Sequence, residues 1–187
     1  MTPLLWVLLG IGGALALVWL VSRGLGFGSQ RPDHYAQTEP YFAVKDVLCG
    51  ELLCDGVIYG PLGRVVSRFA ADFDVRWDGN RGRMIEHFRY DSGNTQDREW
   101  WLELGDDGAL KADASDLVDT GHGRQSGATL LMRYRIRLPD AAGGHVLNVT
   151  DWMYLTPDGV IVNRSQFRKF GIKVAELIAT IRKREAQ

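Results

Sequence analysis

RVVSRFAADFDVRW, residues 64–77, alternates with a period of two. Val65, Phe69, Ala71, Phe73, Val75 and Trp77 share one face, and Arg64, Arg68, Asp72, Asp74 and Arg76 share the other. Successive side chains of a strand project to opposite faces, so this pattern predicts a strand with one face buried and one wet. ATLLMRYRIRL (128–138) repeats it, with Ala128, Leu130, Met132, Tyr134, Ile136 and Leu138 on one side and Arg133, Arg135 and Arg137 on the other. Turn signals punctuate the chain at Gly60-Pro61-Leu62-Gly63, Asp78-Gly79-Asn80, Ser92-Gly93-Asn94, Asp106-Asp107-Gly108, Asp119-Thr120-Gly121, Gly143-Gly144 and Pro157-Asp158-Gly159. Most of those beyond Gly63 have tight-hairpin chemistry and leave strands of about ten residues between them, suited to a meandering barrel. The expectation is an all-β antiparallel barrel of about eight to ten strands over 41–187. Residues 172–185 read two ways: Val174, Leu177, Ile178 and Ile181 suit a helix, and the segment also suits a closing strand.

Outside the barrel, residues 3–21 (PLLWVLLGIGGALALVWLV) run for nineteen positions without a charge. At ~1.5 Å per helical residue this stretch crosses a hydrocarbon core of ~27–30 Å, so an uncleaved transmembrane helix is expected, with Trp6 and Trp19 near its two ends. Residues 22–40 hold Gly24, Gly26, Gly28, Ser29 and Pro32 and read as a flexible tether. Arg23 and Arg31 follow the helix, which by the positive-inside rule places the domain on the cytoplasmic side.

Whole-chain arithmetic narrows the function. The 187 residues carry 22 Lys+Arg against 23 Asp+Glu, a net charge of -1, which argues against a nucleic-acid partner. An apolar content of 45% excludes disorder, and two cysteines exclude a disulfide scaffold or a four-cysteine zinc site. Cys49 and Cys54 are expected as small buried hydrophobes, with a disulfide between them the alternative in an oxidising compartment. None of His34, His87, His122 and His145 has a metal-ligand partner at helical spacing, and no G-x-S-x-G elbow occurs, so no metal, cofactor or catalytic residue is assigned.

Following the strand faces inward gives the interior chemistry. Met84, Phe88 and Tyr90 share a face with Glu86, and Trp100, Leu102 and Leu104 share one with Arg98. The Ser92–Asn94 turn sets Glu86 opposite Arg98, so an internal Glu86–Arg98 ion pair is expected, because a lone buried charge is costly. Across the Pro157–Gly159 turn, Asn163 and Ser165 fall opposite Met153 and Asp151. A mostly apolar interior with a few polar groups is what a small-molecule pocket requires; a filled barrel whose polar groups satisfy one another is the alternative. The candidate ligand-binding set is Glu86, Phe88, Tyr90, Arg98, Trp100, Met132, Tyr134, Asp151, Met153 and Asn163. After residue 160, Arg164, Arg168, Lys169, Lys173, Arg182, Lys183 and Arg184 face only Glu176 and Glu185, a basic end suited to anionic headgroups.

WDGN (77–80), the stretch from Gly82 to Gly93, RYRIRLP (133–139), DWMY (151–154), NRS (163–165) and KFGIKVAE (169–176) resemble the bacterial family called domain of unknown function 3833, over about residues 33–182. The resemblance implies a lipocalin-like fold, an envelope location and a connection to lipid or fatty-acid chemistry, since many members are lipoproteins or are encoded beside fatty-acid-modifying enzymes. This chain lacks a lipoprotein cysteine after its apolar segment, and its helix takes the place of the lipid anchor. The resemblance puts the domain in the periplasm, anchored to the inner membrane, against the cytoplasmic side that the two arginines favour. The expected function is a non-catalytic, membrane-anchored protein that binds a lipid or fatty-acid-like ligand, with Arg98 at its head. An enzyme of lipid modification using Glu86 and Asp151, or an assembly factor with a filled barrel, are the alternatives.

Overall fold

The alternating stretches pair into ten antiparallel strands in the computed structural model, which describes residues 3–140 and 143–185. They are β1 (Gly50–Tyr59), β2 (Val65–Asp78), β3 (Arg81–Tyr90), β4 (Thr95–Leu104), β5 (Ala109–Ala114), β6 (Gly121–Ser126), β7 (Thr129–Arg137), β8 (Val146–Leu155), β9 (Ile161–Lys169) and β10 (Ile172–Lys183). Each pairs with the next, and β10 returns to β1, so the sheet closes into an up-and-down barrel. The ambiguous 172–185 segment is therefore strand. Its register runs from Leu52↔Lys183 to Tyr59↔Glu176, and it satisfies backbone groups on β1 and β9 that a helix would leave as open edges.

Phe69, Ala71, Phe73 and Val75 of β2 point into the core as their alternation requires. Val65 lies at the end of the same face and is exposed. One end of the barrel has a floor made by the chain just before β1. Phe42, Val44 at the start of the short helix α2 (Val44–Val47) and Leu48 are all buried in the core. The Phe42 amide donates to Gly127 O (2.8 Å) and the Trp77 indole donates to Leu48 O (2.7 Å), fixing the floor to the β6–β7 turn and to β2.

The N-terminal helix α1 spans Pro3–Gly24, 22 residues. Among the described residues no helix is long and apolar enough to cross a membrane. The helix expected over 3–21 is thus present, while its passage through a bilayer is not shown. The side chains of Leu4, Trp19 and residues 22–24 lie outside the described residues, so the readings placed on Trp19 and Arg23 go with them; Trp6 is exposed.

Much of the stretch 22–40 is held against the barrel and is not a free tether. Two 3-10 turns, Phe27–Ser29 and Pro32–Tyr35, lie against the outer face of β7 and β8, where Phe27 packs with Leu131 and Trp152. Gln30 Oε1 accepts from the Tyr154 hydroxyl (2.6 Å), and Thr38 Oγ1 accepts from the Ala128 amide (3.0 Å). The strap passes so close to Gly127 (φ +50) that a Cβ there would lie 1.9 Å from Tyr35 O, so only glycine fits. Leu131 and Trp152 are apolar on the outward side of their strands, and covering them is what draws the segment in.

Four of the seven basic residues at this end are paired with carboxylates, while Arg168, Lys169 and Lys183 meet neutral partners. Arg164 and Lys173 pair with Glu176, Arg182 with Asp55 (2.8 Å), and Arg184 with Glu51 (3.1 Å) and Asp72. Glu176 belongs to β10 itself, whereas Glu51 and Asp55 come from β1 and Asp72 from β2, which the linear charge count could not place beside β10.

Candidate functional site

Opposite the floor the barrel is open, and a cavity of about 590 Å³ runs from Leu48 to a mouth at Gln96, Asp116, Leu138 and Pro139. This size is ordinary for a small-molecule site. The open interior decides against the filled-barrel alternative. All ten residues assigned from the sequence line it: Glu86, Phe88, Tyr90, Arg98, Trp100, Met132, Tyr134, Asp151, Met153 and Asn163.

One wall is aromatic. Phe69 and Phe73 of β2 meet Phe88 of β3 edge-on at 5.4 and 5.9 Å between centroids, and Phe88 stacks on Tyr90 at 6.1 Å. On the facing wall Trp100 of β4 meets Tyr134 of β7 at 5.3 Å, close to perpendicular. Such edge-on pairs hold ring orientations more firmly than isolated apolar contacts.

The polar groups are arranged around Trp100. Glu86 does stand opposite Arg98 in the β3–β4 register, as the Ser92–Asn94 turn requires. The expected ion pair between them is nevertheless not made. Arg98 turns toward the mouth and pairs with Asp116 (Nε to Oδ2, 3.0 Å), while its guanidinium lies over the Trp100 ring at 3.9 Å. Glu86 Oε2 accepts the Trp100 indole N–H (3.1 Å). Trp100 therefore engages both groups at once, one by its face and one by its edge. The sequence reading missed Asp116 because it lies beyond the end of β5, in a turn. The ladder that pairs Trp100 with Ala114 and Leu102 with Ala112, continued two residues further, brings Asp116 level with Arg98.

Deeper in, Asp151 collects three neutral donors. Asn163 Nδ2, Ser165 Oγ (2.8 Å) and the Tyr134 hydroxyl (3.3 Å) all donate to it. The hairpin arithmetic is met here, with Asp151 opposite Ser165 and Met153 opposite Asn163. Burial pushes both interior carboxylates upward. Desolvation carries Glu86 from 4.5 to about 7, with Arg98 and the Trp100 hydrogen bond opposing it only in part. Asp151 is also raised by desolvation, against the pull of Ser165, Asn163 and Tyr134. The Cys54 thiol, on the same interior face, is pushed up to about 12 by burial and then by Glu86, Asp55 and Asp151, so it is an inert, protonated side chain. Cys49 and Cys54 are both free thiols, as expected of small apolar fillers, though only Cys54 is fully buried.

Fold and cavity together define a lipocalin-like antiparallel barrel, closed at one end and open into a polar-spotted apolar interior at the other. The chain belongs to the DUF3833 family, described as a protein of unknown function, whose model matches residues 22–183. Among solved structures it resembles the S-type phycobiliprotein lyase CPES from Guillardia theta, with a TM-score of 0.57 and 10% identity over 84% of this chain and 99% of that one. It also resembles Rv2717c from M. tuberculosis, with a TM-score of 0.56 and 12% identity over 80% of this chain and 100% of the other. At such identities the likeness is one of fold alone. No curated protein matches the sequence.

Proposed function

We propose that this chain is a binding protein that takes an apolar, lipid-like small molecule into its barrel. The observation that carries the reading is the open cavity of about 590 Å³ with aromatic and Met walls. Burying a chain of about a dozen CH₂ groups at ~0.8 kcal/mol each supplies up to ~10 kcal/mol, against the ~8 kcal/mol that a micromolar Kd needs, before immobilisation costs. One fold neighbour is a phycobiliprotein lyase, which is compatible with an interior that handles small molecules. Mass spectrometry of lipid co-purified with the purified chain tests the reading. A folded protein that carries none, and binds no alkyl chain on titration, removes it.

Membrane anchoring and a periplasmic location belong to the same proposal. The uncharged run over 3–21 supports the anchor, and the resemblance to lipoprotein-rich relatives supports the compartment. Alkaline phosphatase fused after Gln187 should be active, and an inactive fusion would reverse the assignment. Glu86, held at about 7, favours a second reading in which it transfers a proton to or from a bound substrate. Turnover of an isolated lipid would separate that enzyme from the carrier.

A further inference from the structure

Four carboxylates and two guanidiniums line this cavity, of which Asp140 and Arg137 are exposed near its mouth. Glu86, Asp116 and Asp151 line the cavity together with Arg98. Arg98, the expected seat of an anionic head, is already occupied: Asp116 pairs with it at 3.0 Å and the Trp100 ring covers its face at 3.9 Å. Asp151 has its oxygens filled by Asn163, Ser165 and Tyr134. Glu86 differs from both. It is only 6% exposed, one of its oxygens accepts from Trp100, and the other has no hydrogen-bond partner among the described residues. Glu86 lines the open cavity, so its unpartnered oxygen is an acceptor available to a donor that enters there.

We infer that the cavity takes an apolar molecule whose polar end carries a hydrogen-bond donor, a primary amine above all, and that Glu86 receives it. The inference rests on the binding reading above and revises its head group. A carboxylate head lodged beside Glu86 would bring a further negative group close to Glu86 and Asp151, where Arg98 is already paired with Asp116 and the cavity's other cation, Arg137, is exposed near the mouth, and like charges are most costly at that depth. An ammonium would supply the missing counter-charge and fill the open Glu86 oxygen with a charge-assisted hydrogen bond. A neutral hydroxyl would supply the hydrogen bond without the charge. The tail then lies against Phe73, Phe88, Met132 and Met153, all of which line the cavity.

The test is calorimetric titration of the full chain with dodecylamine, dodecanol and dodecanoate, three probes of one tail length, each below its micelle concentration. The expected order is amine, alcohol, carboxylate, with the amine at least about tenfold tighter than the carboxylate. In Glu86→Gln, which keeps the volume and removes the charge, the difference between amine and carboxylate should shrink several-fold, in a protein shown by its melting curve to be folded. A carboxylate that binds as tightly as the amine to the native chain overturns the inference and leaves the binding reading intact. An amine preference unchanged in Glu86→Gln removes Glu86 from the role. Failure of all three probes to bind overturns the binding reading itself.

Discussion

Glu86 and Glu176 are nearly equally hidden, at 6% and 7% exposure, yet they titrate in opposite directions. Glu86 inside the barrel is raised to about 7, and Glu176 on the outer wall is lowered to about 2. Desolvation is the largest influence on both. It wins at Glu86 because the one donor that reaches the carboxylate is the neutral Trp100 indole and the nearest cation is committed elsewhere. It loses at Glu176 because Lys173, Arg164 and Gln166 all donate to that carboxylate. Covered surface area therefore says little about a carboxylate until its depth in the molecule and its donors are both counted. The outer cluster is complete in itself, whereas the inner one has an acceptor to spare.

The widest separation between the two regions should appear in the pH dependence of stability. The folded pKa of Glu86 lies above its ordinary 4.5, so its contribution to stability falls as pH rises through the interval from 4.5 to about 7 and is level beyond it. Glu86→Gln should flatten that fall, a difference of about 3 kcal/mol between pH 4 and pH 8 measured by urea unfolding. Parallel curves for the variant and the native chain would show that Glu86 is not raised. Next in size is Asp116→Ala, which leaves Arg98 without its partner and should cost about 2 kcal/mol; the pair is partly solvated, so the full penalty of a dry interior does not apply. Glu86→Ala should then cost less than Asp116→Ala at pH 8, and the reverse order would restore Glu86 as the partner of Arg98. The smallest effect belongs to the outer wall. The pKa of Glu176 is depressed, so its stabilisation is present above pH 4.5 and is lost as pH falls toward 2. Its cationic partners Arg164 and Lys173 are 41% and 36% exposed. Solvent screening therefore reduces the contribution, and Glu176→Gln should cost about 1 kcal/mol at pH 7 and nothing near pH 2.

Period-two alternation and turn chemistry made the barrel legible in the sequence, because both are local properties of a strand and its hairpin. The same hairpin arithmetic placed every assigned residue on the inner face, since one register fixes the facing of a whole strand. What it could not carry was side-chain direction. Register put Glu86 opposite Arg98, and the long guanidinium then chose between two carboxylates, one of them in a turn that no strand pattern marks. The strap over 27–41 was hidden for a related reason. Its glycines read as flexibility, and the signal that it is held down lies over a hundred positions away, in Leu131 and Trp152, whose apolar side chains stand on faces that alternation assigns to water. The pairing of Arg182 and Arg184 with carboxylates likewise depended on β10 closing against β1, a contact between the two ends of the domain.

The strap has a mechanical consequence. Any tension drawn through α1 enters the barrel at Phe27, passes to Gln30 and Thr38, and arrives at Phe42 in the floor. The hairpins at the mouth lie outside that path. The molecule is moored by its keel, and its rim is the end left free to move. Whatever holds α1 in place fixes the floor of the barrel and leaves the opening toward Pro139 as the side from which a guest would come and go.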